Sequence, residues 1–153
     1  MKILVCDHHK TGTARKVRHA MEQRAPMIIE WGRADEPFGV WLPTPFGSGL
    51  RLYRLADGTL ACPVREVLTA CGRAGLNYPD MLNTAERHYF GKAKVRGLAG
   101  YRRVNWLAAR HGVIQLASGM NTKQSRLFLH WFLGSAVPLF ERMFELAVCR
   151  EAA

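Results

Sequence analysis

Acidic residues are scarce in this sequence, and they are missing altogether from residues 87–140. The whole chain has 12 Asp and Glu against 22 Lys and Arg, which gives a formal net charge of +10. Proteins without a polyanionic partner usually intersperse both signs on their surface, so this one-sign block indicates a phosphate-rich partner. Nucleic acid, and double-stranded DNA in particular, is the first interpretation, and an acidic protein surface is the alternative. The candidate contact residues are Arg87, Lys92, Lys94, Arg96, Arg102, Arg103, Arg110, Lys123 and Arg126.

Long hydrophobic runs are also missing, although 48% of the residues are apolar and can bury a sizeable core. No run reaches the roughly 18–20 residues that a membrane-spanning helix needs. The first seven residues, MKILVCD, lack the long apolar region and cleavage site of a signal peptide. We therefore expect a protein of the host cytoplasm, associated with the nucleoid if it binds DNA, with no membrane partner.

Paired cysteines and catalytic clusters are absent too. Cys6, Cys62, Cys71 and Cys149 include no close pair with metal-ligand spacing, so reduced thiols are expected and a disulfide is not. The sequence Asp7-His8-His9 follows a predicted strand, where it could serve a hydrolase or bind a metal. Neighbouring strand residues face opposite sides, however, and no second ligand cluster accompanies them. We expect no metal, no cofactor and no enzymatic activity.

The most apolar stretch, Leu127 to Leu133, has His130 as its single polar residue. It predicts a core helix over about 122–136. A side-chain oxygen of Asn121 or Thr122 could accept hydrogen bonds from the first free N–H groups, with Gln124 or Ser125 assisting. Pro138 should push Val137 out of the helical region, so that the helix kinks or restarts there. The restarted helix has an apolar face that either packs or forms a homodimer contact. That face consists of Leu139, Phe140, Met143 and Phe144.

The N-terminal part predicts a strand over 2–7, a helix over 13–24 and a strand over 27–31, which could form a parallel unit. Residues 32–49, rich in Pro and Gly, predict a linker or an edge strand. Trp31, Trp41, Trp106 and Trp131 are expected to be mainly core anchors, and Trp41, within the Pro-rich segment, is the one that could stack on a partner.

Asp57-Gly58 lies between two apolar runs and predicts a β-hairpin. A helix should follow and end at Gly72 or Gly75. The complete set for the second half is strands over 50–55, 60–63, 90–95 and 101–106, and helices over 64–73, from Asn77 to about 85–89, and over 107–117. In the strand over 101–106, Arg102 and Arg103 face opposite ways, so at least one of them should reach solvent or a ligand.

Two groups of residues resemble a known family. Gly112, Leu116, Phe128, Trp131 and Pro138 are similar, without a gap, to the closing segment of the BRO N-terminal domain of phage antirepressors and baculovirus repeated open reading frame proteins. Upstream, Asp57-Gly58 followed by the segment from Cys62 to Gly72 resembles that family's d-G-x-x-F-V-A-K-D-V-A-x-A-L-G pattern. The resemblance covers about residues 50–145 and implies DNA binding.

These observations together predict an α+β fold, in which a small antiparallel sheet packs on several helices. The predicted units are an N-terminal strand-helix-strand extension over 1–46 and a BRO-like DNA-binding domain over 47–153. The expected function is a DNA-binding transcriptional regulator or antirepressor of phage or mobile-element type. The alternative is a non-enzymatic inhibitor that binds an acidic surface of a repressor or host defence complex.

Overall fold

The computed structural model describes residues 4–5, 25–31, 37–75, 87–98 and 101–152. One sheet contains seven strands in the order β1-β2-β3-β4-β5-β7-β6, with β1 parallel to β2 and all other pairs antiparallel. The strands are β1 (Leu4–Val5), β2 (Met27–Glu30), β3 (Phe38–Pro43), β4 (Gly49–Arg54), β5 (Leu60–Pro63), β6 (Phe90–Arg96) and β7 (Arg102–Ala109). The helices are α1 (Val64–Ala70), α2 (Arg110–Met120), α3 (Lys123–Trp131) and α4 (Val137–Ala152).

The predicted α+β class, a mainly antiparallel sheet with helices packed on it, is confirmed. The helix expected over 13–24 and the one expected from Asn77 lie outside the described residues. Within the described residues, no helix has the length and hydrophobicity required to cross a membrane.

Strand β3 lies inside the sheet, between β2 and β4, so its prediction as a linker or an edge strand is wrong. Val40 pairs with Ile28 on one side and with Leu52 on the other. Pro43 is tolerated because it occupies the last position of the strand, opposite Gly49. The sheet thus runs across residue 46, where the sequence had suggested a boundary between two units.

The β4–β5 hairpin and helix α1 agree with prediction. Gly58 adopts a positive φ of 87° in the turn, and Asp57 accepts a hydrogen bond from the Thr59 N–H at 2.9 Å. Gly72, at φ 78°, terminates α1 in the left-handed conformation that favours glycine. These turns are encoded by residues close in sequence, which is why the sequence locates them well.

The helices cover one face of the sheet. Phe128, Phe132 and Phe140 are buried there together with Leu52 and Val40 from the sheet. Helix α3 is less enclosed than its composition predicts, since Leu127 is 50% exposed and His130 is also exposed. Only one side of the helix, that of Phe128, packs into the core, so the extra apolar residues remain at the rim.

Pro138 does not interrupt the helix. The residues before it, Phe132–Ala136, form a π-helical segment, and Val137 keeps helical angles of φ −63° and ψ −48°. The Val137 N–H donates to the Phe132 carbonyl, five residues back. A π turn contains one extra residue, and we infer that it accommodates the missing N–H and the ring of Pro138. The predicted departure of Val137 from the helical region is wrong.

The predicted start of α2 is also wrong, because Leu107–Ala109 continue strand β7 and the helix begins at Arg110. Leu107 pairs with Pro63 and with Gly91, so strands on both sides hold this segment extended. Pairing with two strands overrides the helical pattern of the local sequence.

The residues suggested for a dimer contact belong to the core of a single chain. Phe140 and Met143 are buried, and Leu139 and Phe144 pack partly covered against them. The Phe144 ring also lies under the Arg54 guanidinium, 4.3 Å from its carbon to the ring centroid. Because Phe140 and Met143 are already covered by their own chain, they present no free surface to a second copy.

Candidate nucleic-acid interface

The β6–β7 hairpin holds the basic residues of greatest interest. Lys92 pairs with Trp106, Lys94 with Val104, and Arg96 with Arg102. Directly paired residues in antiparallel strands project from the same face of the sheet. We call this set the outer face: Lys92, Lys94, Arg96, Arg102, Val104 and Trp106.

The opposite face of the hairpin is buried at Val95 and Leu107, whereas Arg103 on the same face is exposed. Val95 and Leu107 belong to a second core cluster with Met27, Trp41 and Tyr53. Strand β6 is at one edge of the sheet, whereas β2 lies near the other edge. The sheet must therefore curve strongly for Val95 to reach this cluster. The buried face fixes the hairpin in place and leaves the outer face toward solvent.

A buried carboxylate fastens the tip of the hairpin to the rest of the sheet. Glu30, only 2% exposed, accepts a hydrogen bond on Oε2 from the Arg96 N–H at 3.0 Å. Its Oε1 lies 2.7 Å from Nη2 of Arg102 in an ion pair. Glu30 reduces the repulsion expected between the paired Arg96 and Arg102.

The backbone explains how Glu30 reaches this position. An irregularity in the β2–β3 pairing places Ile28 opposite Val40 but Glu30 opposite Gly39. A Cβ at Gly39 would lie 2.8 Å from the Tyr53 ring and 3.0 Å from the Glu30 Cβ, closer than side chains pack. Gly39 thus provides the room that Tyr53 and Glu30 share, and no local pattern in the sequence indicates this arrangement.

Tyr53 continues the same network toward helix α1. Its hydroxyl donates to the Arg96 carbonyl at 2.5 Å and accepts from Nη1 of Arg51 at 3.1 Å. Burial raises the pKa of Tyr53, so the phenol stays protonated and keeps its donor role. Arg51 in turn pairs with Glu66 of α1 through Nε and Oε2, at 2.5 Å. Burial raises the pKa of the Glu66 carboxyl, although the neighbouring guanidinium opposes this shift.

The structure brings four of the nine predicted contact residues onto the outer face: Lys92, Lys94, Arg96 and Arg102. Arg103 is exposed and pairs with Val95 on the other side of the hairpin. Arg87 begins a short 3₁₀ turn, Arg87–Tyr89, just before β6.

The other three predicted residues are exposed at the starts of helices. Arg110 begins α2, Lys123 begins α3, and Arg126 lies in the first turn of α3. Arg126 donates from Nη1 to Oδ1 of Asn121 at 2.9 Å. The N-terminus of a helix carries the positive end of the helix dipole, where a cation is repelled. These residues therefore do not stabilise their helices, and they add to the positive potential of the surface.

Trp106 is a member of the interface that the sequence interpretation missed. It was expected in the core, and Trp41 was the tryptophan thought able to stack on a partner. In the structure Trp41 is buried and Trp106 is 41% exposed. The Lys92 ammonium lies 5.2 Å from the centroid of the Trp106 ring. The available signal was the alternation of Arg102, Val104 and Trp106 on one side of the strand.

Other kinds of site receive little support from the described residues. They contain no group of three or more His, Cys, Asp or Glu that could hold a metal, and Asp7-His8-His9 lies outside them. Cys62 and Cys71 are buried free thiols, and burial raises the pKa of both. An open depression of about 260 Å³ lies between the β4–β5 turn and β6, lined in part by Asp57, Tyr89 and Lys92.

No protein-family model, curated protein or solved structure matches this chain. The functional assignment therefore depends on the geometry and charge of the outer face.

Proposed function

We propose that this protein is a DNA-binding regulator of phage or mobile-element type, whose outer face contacts the phosphate backbone. The observation that carries the proposal is the pairing register of β6 and β7, which gathers four cations on one side of an anchored hairpin. Neutralising phosphates with Lys and Arg releases counterions and supplies most non-specific affinity for DNA. The resemblance of residues 50–145 to BRO N-terminal domains supports the same function, and a protein with this function would associate with the nucleoid of the host cell.

The experiment is a fluorescence anisotropy titration of labelled random-sequence DNA with the full chain, from 50 to 300 mM salt. Binding should weaken steeply as salt rises, by roughly one power of the salt concentration for each phosphate contacted. An affinity that does not change with salt would contradict a phosphate-binding surface.

A second candidate function is favoured by the apolar residues within the outer face. Val104 is 64% exposed and Trp106 lies beside it, and exposed aromatic residues surrounded by cations are typical anchors of protein interfaces. The protein would then inhibit a repressor or host defence complex by binding its acidic surface. Absence of DNA binding even at 50 mM salt would favour this function.

A further inference from the structure

The outer face separates its side chains by strand. The β6 row consists entirely of cations, namely Lys92, Lys94 and Arg96. The β7 row begins with Arg102 and continues with the apolar residues Val104 and Trp106. Neighbouring strands lie about 4.8 Å apart, and alternate residues of one strand about 6.8 Å apart. The face therefore presents a row of cations about one strand spacing away from a row in which Val104 and Trp106 are apolar.

This one-sided arrangement discriminates between paired and unpaired nucleic acid. A ribbon in the major groove of a duplex has phosphates along both of its margins and reaches only the edges of stacked bases. Here the β6 row carries only cations, and the Trp106 ring on the β7 row is 41% exposed, so that part of its surface can contact the flat face of a base. Proteins that bind single strands combine these two elements, a basic track for the backbone and aromatic side chains for the bases.

The geometry around Trp106 fits such a base. Its indole is 41% exposed, and the Lys92 ammonium lies 5.2 Å from the ring centroid, where it can meet the phosphate of a stacked nucleotide. Val104 lies two residues along the same row and is 64% exposed, so a neighbouring base would rest on an apolar surface. The buried Val95 and Leu107 on the reverse side hold the row in position before any ligand binds.

We propose that Trp106 is a base-stacking residue and that the outer face binds a single-stranded tract of DNA, with phosphates along the β6 row and unpaired bases along the β7 row. This inference rests on the proposed function and narrows its ligand to unpaired DNA. We therefore expect the wild-type protein to bind a single strand more tightly than a duplex of the same length.

The test compares two labelled probes, a 15-nucleotide oligo-dT and a 15-base-pair duplex, titrated with the full chain at 50 mM salt. Trp106→Ala should weaken oligo-dT binding about 5- to 150-fold, the range found when a stacking side chain is removed, and should change duplex binding less than twofold. Trp106→Phe keeps a ring and should restore most of the lost affinity. Leu146→Ala is the control, because Leu146 is 51% exposed but lies on α4, outside the outer face.

Tryptophan emission provides a second measurement that does not depend on the alanine variant folding. Oligo-dT should quench the emission of the wild-type protein, and Trp106→Phe should abolish that quenching because the remaining tryptophans lie elsewhere. Equal losses for both probes in Trp106→Ala, or tighter binding of the duplex by the wild type, would overturn the inference while leaving DNA binding intact. Absence of binding to either probe would overturn the proposed function as well.

Discussion

Neutralising the lysines of the β6 row tests whether this row contacts phosphates. Lys92 and Lys94 are exposed, so Lys92→Gln combined with Lys94→Gln should fold normally while removing two positive charges. Arg102 already pairs with Glu30 at 2.7 Å, and we therefore count only the three β6 cations as available for phosphate contacts.

The expected magnitude follows from counterion release. Each phosphate contact with a single strand adds about 0.7 to the slope of log affinity against log salt. Three contacts give a slope of about 2.1, so affinity should fall roughly 20-fold between 50 and 200 mM salt. The double variant keeps one contact, and its affinity should fall only about threefold over the same range. Contacts made by other cations would add equally to both proteins, leaving a difference in slope of about 1.4.

The assay is anisotropy with labelled oligo-dT at several salt concentrations. The matched control combines Arg65→Gln on α1 with Arg142→Gln on α4, two exposed residues whose replacement changes the net charge equally. This control should keep the wild-type slope. An equal reduction of the slope in both double variants would refute the reasoning, since it would mean that overall charge, and not the β6 row, governs binding.

Two further predictions concern the scaffold. Gly39→Ala should destabilise the protein by about 1–3 kcal/mol in urea unfolding, because the new Cβ would lie 2.8 Å from the Tyr53 ring. Gly91→Ala is the control, and it should lower the free energy of unfolding far less, because its Cβ would have no neighbouring atom within 4 Å. Stability should also fall as pH rises above about 8.5, where unfolded thiols ionise, since burial raises the pKa of Cys71 to about 12 and that of Cys62 well above its ordinary value.

The direction of the pH effect follows from proton binding. Above pH 8.5 the unfolded chain releases thiol protons that the folded chain retains, so unfolding becomes more favourable by up to about 1.4 kcal/mol per pH unit for each thiol. Cys71→Ala removes one buried thiol, so it should reduce the slope of the unfolding free energy against pH by the contribution of that thiol. Stability that stays constant from pH 8 to 10 would contradict the burial of these thiols, and equal costs for the two glycine variants would contradict the packing around Tyr53.

The sequence alone determined the features that depend on neighbouring residues. Asp57-Gly58 specified the β4–β5 turn. The sequence also located the end of α1, at Gly72 or Gly75, and the start of α3, at Asn121 or Thr122, and the structure selects Gly72 and Thr122. Each of these signals acts over about three residues, so no distant contact is needed to interpret it. The block of positive charge was equally plain, because composition does not depend on folding.

The tertiary structure alone decided which residues are brought together. Pairing with β5 and β6 kept Leu107–Ala109 extended, and packing against the sheet buried Phe140 and Met143. The curvature of the sheet carried Arg96 to Glu30, a partner 66 residues away in sequence, and the packing of the whole chain left Trp106 41% exposed. Contacts over such separations depend on how the whole sheet closes, and no local pattern of side chains encodes them.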